Sequence, residues 1–206
     1  MQIKYNTGNQ RTLMHNAQMD ISNRYMPVAL DWLQNNILHN FKDVICTLHC
    51  NNTEDIYQHI DATISFTNSK DIRYTTTWQI KTITDMAYNH FTIEYMNNRY
   101  TGEWGEIKEI QADYYLHARV GEDNIIYNVG VVNMKEFMKA YENNLFNYHI
   151  SDNPDSNANF LCVDWNELKN IKGVVYNYKN TMHLYNTKVK QKLSEMYENW
   201  KANGEL

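Results

Sequence analysis

The architecture of this chain follows from a hairpin, whose two arms are Ile60-Asp61-Ala62-Thr63-Ile64-Ser65-Phe66 and Tyr74-Thr75-Thr76-Thr77-Trp78-Gln79-Ile80-Lys81. Apolar and polar side chains alternate in both arms, as they do in a β-strand with one buried face. The turn-forming run Thr67-Asn68-Ser69-Lys70-Asp71 separates the arms. We therefore predict two antiparallel strands, over Gln58–Phe66 and Arg73–Ile83.

The register of this hairpin follows from the need to bury the apolar faces together. A turn centred on Lys70 places Ile60 opposite Ile80 and Ala62 opposite Trp78. A slip of one residue would turn one apolar face to solvent, so this pairing is strongly favoured.

The same register brings the polar faces together. Asp61 is then opposite Gln79, and His59 opposite Lys81, at the ~5 Å that separates directly opposed side chains. The Asp61 carboxylate, the Gln79 side-chain oxygen and the Ile80 carbonyl are hard oxygen ligands of the kind that magnesium prefers. We expect Lys81 to orient an attacking water or to neutralise charge on a phosphate, which is the electrostatic work that phosphodiester hydrolysis needs.

Other elements are predicted from periodicity on both sides of the hairpin. Helices are expected at Pro27–Asn40, Met134–Phe146 and Thr187–Lys201. Strands are expected at Val44–Cys50, Phe91–Tyr95, Ala112–Val120, Ile125–Val132 and Phe160–Val163. We expect residues 1–22 to form a loosely docked N-terminal arm and residues 23–206 a single domain, with 151–159 as a polar loop.

The order helix, strand, Asp61, then Gln79-Ile80-Lys81 resembles the PD-(D/E)xK nuclease superfamily. Three later runs are similar to small phage-encoded members of that group: Phe91-Thr92-Ile93-Glu94, Glu106-Ile107-Lys108 and Ala112-Asp113-Tyr114-Tyr115. The resemblance covers roughly residues 24–132. It implies an α/β fold with a restriction-endonuclease-like core, in which a central mixed β-sheet is flanked by helices, here with an added C-terminal helix.

The resemblance also implies a magnesium-dependent nuclease, with Asp61 and Gln79 at the metal and Lys81 in catalysis; manganese is an expected substitute. Two positions depart from the family pattern, because Ile60 stands where proline is common and Gln79 where an acid is usual. Members often add an acid from a helix. Asp31 and Asp20 are the two candidates here, and their spacing does not choose between them.

Composition limits the other functional classes. The 206 residues carry a formal net charge of -5, so a polyanion has to bind a local patch rather than the whole surface. The sequence contains no Gly-rich phosphate loop and no Gly-x-Ser-x-Gly elbow, and no stretch approaches the ~20 apolar residues of a membrane span. With an odd number of cysteines and no secretion signal at the start, we expect the cytoplasm, that of the host if the protein is phage-encoded.

Cys46, His49 and Cys50 offer soft ligands within five residues. A structural zinc site needs four ligands, usually with C-x-x-C spacing. We therefore interpret Cys46 and Cys50 as small buried residues that share a strand face with Val44 and Leu48.

The strongest charge asymmetry lies between residues 169 and 192, where lysines are interleaved with tyrosines and no acidic residue occurs. Lysine contacts to phosphates, with stacking on the tyrosines, would suit a nucleic-acid groove, and an ordinary solvated surface explains the pattern about equally well. The candidate DNA-binding residues are Lys169, Lys172, Lys179, Lys188, Lys190 and Lys192.

Two functional hypotheses follow. The first is magnesium-dependent cleavage of DNA; the second is a catalytically inactive nuclease-like fold that binds DNA or a host protein, as a phage accessory or counter-defence factor. The acidic net charge favours the second. Cleavage of both strands of a duplex would favour a homodimer, and the sequence leaves the oligomeric state open.

Overall fold

A computed structural model describes the backbone of residues 1–7, 17–50, 53–84, 86, 89–153 and 156–202; within these ranges, side chains 5–7, 17–23, 50, 53–54, 56 and 197–202 are outside the description. The strands are β1 Gln2–Thr7, β2 Lys42–Cys50, β3 Ala62–Thr67, β4 Arg73–Ile83, β5 His90–Asn98, β6 Glu103–Trp104, β7 Tyr114–Val120, β8 Ile126–Asn133, β9 His149–Asp152, β10 Asn159–Asp164 and β11 Val175–Asn180. The helices are α1 Ala17–Asn36, α2 Thr53–Gln58, α3 Glu106–Glu109, α4 Met134–Glu142, α5 Trp165–Lys169 and α6 Met182–Ala202.

Seven strands form a large mixed sheet in the order β1-β2-β3-β4-β7-β8-β11. The pairs β1/β2 and β4/β7 are parallel and the other neighbours are antiparallel. Helix α1 packs on one face, and α4 and α5 bury apolar residues against the other. The predicted fold class, a central mixed sheet flanked by helices, is therefore confirmed.

The predicted register of the β3–β4 hairpin is confirmed. Ala62 pairs with Trp78, and Ile64 pairs with Thr76. Ala62, Ile64 and Trp78 are buried together with Ile80 in the core beneath α1. Asp61 lies just before β3, and its backbone N–H donates to the Trp78 carbonyl at 2.9 Å, which extends the pairing to the predicted site.

Four further strands form a second sheet in the order β6-β5-β10-β9. Its apolar side chains, among them Phe91 and Leu161, join Tyr115 of the large sheet and Trp165 of α5 in a second core. This core lies on the face of the large sheet opposite α1. The second sheet thereby covers the polar face of β4 near Lys81, whose ammonium lies 5.8 Å from the centre of the Phe160 ring.

Several elements differ from the sequence-based expectations. Helix α1 begins at Ala17 and contains Pro27, which is exposed while Ala29, Leu30 and Leu33 pack beneath it. Because proline is normally confined to the first turn of a helix, Pro27 predicted a helix that begins ten residues later than α1 does.

Short elements account for the remaining differences. Residues 2–7 form the edge strand β1 rather than a loose arm. Helix α2 ends at Gln58, where the sequence predicts the start of a strand, and β3 begins at Ala62. The sequence does not predict strands β6 and β9 of the second sheet. It also does not predict the short helices α3 and α5 or the strand β11. Among the described residues no helix has the length and apolar character needed to cross a membrane.

Candidate functional site

Asp61 is fixed at the start of β3 by backbone contacts on both sides. Its carbonyl accepts a hydrogen bond from the His49 N–H at 2.8 Å, and its N–H bonds to β4. Its carboxylate oxygen Oδ2 accepts a hydrogen bond from the Ile80 backbone N–H at 2.6 Å. The acid is thus attached to the strand that carries the other two predicted residues.

Gln79 and Lys81 project from the same face of β4, because side chains alternate along a strand. In the parallel pair β4/β7 they lie beside Tyr115 and His117. Trp78 and Ile80, which alternate with them along β4, point into the opposite core beneath α1. The structure therefore brings Asp61, Gln79 and Lys81 together on the face that the second sheet covers.

Two glutamates from outside the hairpin also lie in this region. Glu94 belongs to β5, and its carboxylate accepts a hydrogen bond from the backbone N–H of Glu106 at the start of α3. Glu106 is only 7% exposed, and its Oε2 accepts a hydrogen bond from the Tyr115 hydroxyl at 3.1 Å. The electrostatic neighbours of Asp61 include Glu106 and Lys81, so these groups form one cluster.

Gly105 allows the two glutamates to approach. A Cβ atom at this position would lie 2.8 Å from Cγ and 2.9 Å from Oε1 of Glu94. These distances are shorter than ordinary carbon contacts, so a side chain at position 105 would displace the Glu94 carboxylate.

The cluster brings three acidic side chains, Asp61, Glu94 and Glu106, close to one lysine, Lys81. Burial is the largest cause that raises the pKa of Asp61 from 3.8 to about 7; Asp55 and Glu106 add to the rise, against the Ile80 hydrogen bond and Lys81. Burial and the nearby Glu106 also raise the pKa of Glu94. Carboxyl groups with raised pKa values in a covered site are typical of functional centres.

Two oxygen atoms in the cluster are buried without a hydrogen-bond donor among the described residues: Oε1 of Gln79 and Oε1 of Glu106. A buried acceptor that makes no hydrogen bond is costly, and most such atoms in proteins have a partner. Together with the ionisable Asp61, they form a set of hard oxygen donors that suits a divalent cation.

No group of three or more His, Cys, Asp and Glu side chains in the described part of the chain is arranged to hold a metal ion. The predicted ligands contain one such side chain, Asp61, with an amide oxygen and a backbone carbonyl. The residues fit a magnesium ion through these donors, with waters as the remaining ligands.

The two helix acids proposed from the sequence have different outcomes. Asp31 is exposed on α1, which packs against the Trp78 and Ile80 face rather than the face of Gln79 and Lys81. The side chain of Asp20 lies outside the described residues. Asp113, in contrast, has a structural role, because its Oδ2 accepts from the N–H of Thr77 at 2.8 Å and from its hydroxyl at 2.9 Å.

The predicted DNA-binding lysines do not share one surface. Lys169 lies over the ring of Tyr178 at 4.8 Å. Tyr178 on β11 pairs with Gly130 on β8, Gly130 pairs with His117 on β7, and His117 pairs with Lys81 on β4. Tyr178 and Lys169 therefore lie on the same face of the sheet as Lys81, three strands or about 14 Å from it. Lys172 is exposed in the turn before β11.

The other predicted lysines lie on the opposite face or on α6. Lys179 follows Tyr178 on β11 and therefore points to the other side of the sheet. Lys188 contacts Asp123 at 3.0 Å and the Tyr127 hydroxyl at 2.9 Å. Lys190 and Lys192 are exposed on α6.

The interpretation of the cysteines as apolar residues fits the structure at Cys46, which is fully buried beside Leu48. Burial raises the pKa of its thiol to about 11, so it stays protonated at neutral pH. The side chain of Cys50 lies outside the described residues.

The sequence predicts no role for Glu94, and for Glu106 it favours a structural role over one near the metal. Alternation predicts that Glu94 points away from Phe91 and Ile93, but it does not predict that β5 belongs to a second sheet. Glu106 begins a helix of four residues, which is too short to show a period of 3.6.

No protein-family model matches this chain, and no curated protein matches it. Among solved structures, it is similar to the restriction endonuclease MspI in complex with its cognate DNA, with 13% identical residues. That similarity covers 68% of this chain and 78% of the endonuclease, with a TM-score of 0.34.

Proposed function

We propose that this protein is a magnesium-dependent nuclease that cleaves phosphodiester bonds of DNA. The observation that carries the proposal is the cluster of Asp61, Gln79, Glu106 and Lys81. Two of its oxygen atoms, Oε1 of Gln79 and Oε1 of Glu106, are buried and accept no hydrogen bond from the described residues. Such a cluster is unfavourable in a purely structural role, and a divalent cation would satisfy it.

In this proposal, Asp61, the Gln79 amide oxygen and the Ile80 carbonyl hold magnesium, for which manganese substitutes. When bound, the metal ion acidifies a water molecule and offsets negative charge on the phosphate. The hydrogen bond from the Ile80 N–H fixes the Asp61 carboxylate in position. Because this hydrogen bond attaches Asp61 to β4, its carboxylate needs little reorganisation to bind the cation.

Lys81 supplies the positive charge next to the reacting phosphate. Its ammonium group lies 5.8 Å from the centre of the Phe160 ring and interacts electrostatically with Asp61 and Glu94. Its ammonium group can donate hydrogen bonds to the attacking water or to a phosphate oxygen. Lys81 thus orients the water and stabilises charge in the transition state.

Glu106 has a distinct place in the proposal. The Tyr115 hydroxyl donates to its Oε2, which would leave Oε1 available to accept a hydrogen bond from the attacking water. We assign it to positioning of that water rather than to direct coordination.

Of the predicted DNA-binding lysines, Lys169 and Lys172 are proposed to make DNA contacts outside the site. Lys169 is the best placed of these, because it shares the face of Lys81 and lies beside an aromatic ring. Residues of this kind bind the phosphate backbone without regard to base sequence. Phage origin and action in the host cytoplasm remain part of the proposal and rest on the family resemblance.

Digestion of supercoiled plasmid tests the catalytic proposal. We expect nicking with magnesium or manganese, none with EDTA, and a loss of at least about 100-fold in Lys81→Ala. Lys42→Ala is the matched control, because Lys42 is an exposed lysine that pairs with Asp71 at 3.4 Å, remote from the site. Equal nicking by wild type and Lys81→Ala would contradict the assigned role.

The second candidate is a nuclease-like fold that binds DNA or a host protein without cleaving. The net charge of -5 favours it, because a nuclease that holds a duplex usually presents more positive surface. A wild-type protein that shifts DNA in a gel, but nicks no plasmid with either metal, would establish this alternative.

A further inference from the structure

Through Met196, the last residue of helix α6 whose side chain is described, the helix contacts the rest of the protein by its N-terminal turns. Tyr185 packs edge-on against the ring of Tyr127, with 5.1 Å between ring centres. One turn later, Lys188 bonds to Asp123 and Tyr127. All side chains from Asn186 to Met196 are exposed, so this part of the helix faces solvent.

The extended part of α6 carries an apolar stripe. Val189, Leu193 and Met196 are spaced by four and three residues, which places them on one side of a helix. Their side chains are 37%, 59% and 38% exposed. A helix that long is marginal alone, and it usually gains its stability by burying its apolar side against a partner.

We propose that a second copy of this chain covers the stripe, with the two α6 helices packed antiparallel about a twofold axis near residues 192 and 193. In this arrangement Val189 lies opposite the partner's Met196, and Leu193 packs against the centre of the seam. A closed twofold contact uses the same surface on both copies. The inference stands apart from the proposed catalytic function, since it uses none of the residues of the site.

The charges on α6 select the second copy and its direction. Three lysines, Lys188, Lys190 and Lys192, precede the centre of the seam, and Glu195 follows it. Lys192 and Glu195 lie on the same side of the stripe, given ~100° of rotation per residue. An antiparallel pair therefore sets Lys192 of each copy near the partner's Glu195, whereas a parallel pair would set lysines against lysines.

Helix dipoles favour the same direction, because the antiparallel arrangement places opposite ends side by side. Nucleic acid is a poorer occupant of this surface, since phosphates require cations and the stripe itself is apolar. Lys190 lies on the other side of the stripe and stays available to solvent.

Sedimentation of the full chain, from about 1 to about 100 µM, tests the contact. We expect wild type to change from monomer to dimer over this range. Leu193→Glu should remain monomeric, because a dimer of this variant would have to bury two charges at the centre of the seam. The matched control is Leu184→Glu: Leu184 is 49% exposed on the same helix but lies ~140° from Val189, so this variant should dimerise as wild type does.

A charge exchange tests the direction of packing. Glu195→Lys alone should weaken the dimer at least about tenfold, because it brings lysines together at two symmetric places. Lys192→Glu combined with Glu195→Lys should restore wild-type dimerisation.

Three outcomes would overturn the inference: a wild-type chain that stays monomeric at every concentration, a Leu193→Glu variant that dimerises normally, or a double exchange no tighter than the single one. Circular dichroism confirms that each variant keeps its helix content, so that loss of dimer is not mistaken for loss of fold.

Discussion

The carboxylate of Asp61 accepts a 2.6 Å hydrogen bond from the backbone N–H of Ile80. The acid of one strand is therefore held by the residue that separates Gln79 from Lys81 on the next. This bond lowers the pKa of Asp61, yet burial and neighbouring acids raise it to about 7. The site thus keeps a carboxyl group near its midpoint of ionisation at neutral pH.

We expect Asp61→Asn to stabilise the protein at pH 8 and to have little effect at pH 4. The folded state keeps the Asp61 proton up to about pH 7, whereas an ordinary aspartate loses it near 3.8. The folded state therefore binds more protons between these values, and its stability falls as the pH rises through this window. The difference is on the order of 4 kcal/mol at most.

Thermal unfolding of both proteins at pH 4, 6 and 8 measures this effect. Asparagine retains an oxygen that accepts the Ile80 N–H, so the variant isolates the charge. A variant that melts below wild type at pH 8 would show that the charged Asp61 stabilises the fold.

Magnesium affinity should increase as the pH rises from about 6 to about 8, because the metal requires the ionised Asp61. Calorimetric titration with magnesium, or the shift in melting temperature with metal concentration, gives the affinity at each pH. Asp61→Asn should bind weakly with no such dependence. Affinity that is constant over this interval would exclude Asp61 as a ligand.

Glu106→Gln should lower the pKa of Asp61, because the negative charge of Glu106 helps to raise it. Glutamine still accepts the Tyr115 hydroxyl hydrogen bond, so the packing of α3 should persist. Carbon-detected NMR titration of the aspartate carboxyls measures the change, and Glu103→Gln, at an exposed position, provides the comparison. An unchanged Asp61 midpoint would place Glu106 outside the electrostatic cluster.

Gly130→Ala should destabilise the protein by at least about 2 kcal/mol, because overpacking of a core forces a shift of its rigid neighbours. A Cβ at this position would lie 2.2 Å from Cη2 of the buried Trp165. Urea unfolding gives the free energy. Gly102→Ala should lose about 1 kcal/mol only, since a Cβ there meets no atom within 4 Å and only its φ of +73° is unfavourable. Equal losses at both positions would argue against a close contact with Trp165.

The sequence was sufficient to predict the β3–β4 hairpin, because apolar and polar residues alternate with a period of two in both strands. Alternation determines which residues are buried, and burial in turn determines the pairing of Ala62 with Trp78. Asp61, Gln79 and Lys81 then share a face as a consequence. Their proposed roles at a metal ion stay predictions.

The remainder of the site depends on contacts between distant parts of the chain. Glu94 reaches the cluster because β5 joins the second sheet, and Glu106 reaches it through a helix of one turn. Neither contact leaves a periodic pattern in the sequence. The same is true of β11, where the asparagines Asn177 and Asn180 weaken the propensity for a strand.

Gly105 has a consequence for genetic screens of this protein. It carries no functional group, yet any side chain there would collide with Glu94. Because Glu94 is an electrostatic neighbour of Lys81 and Glu106, a saturation screen for inactive variants should recover substitutions at Gly105, alanine included, alongside those at the charged positions.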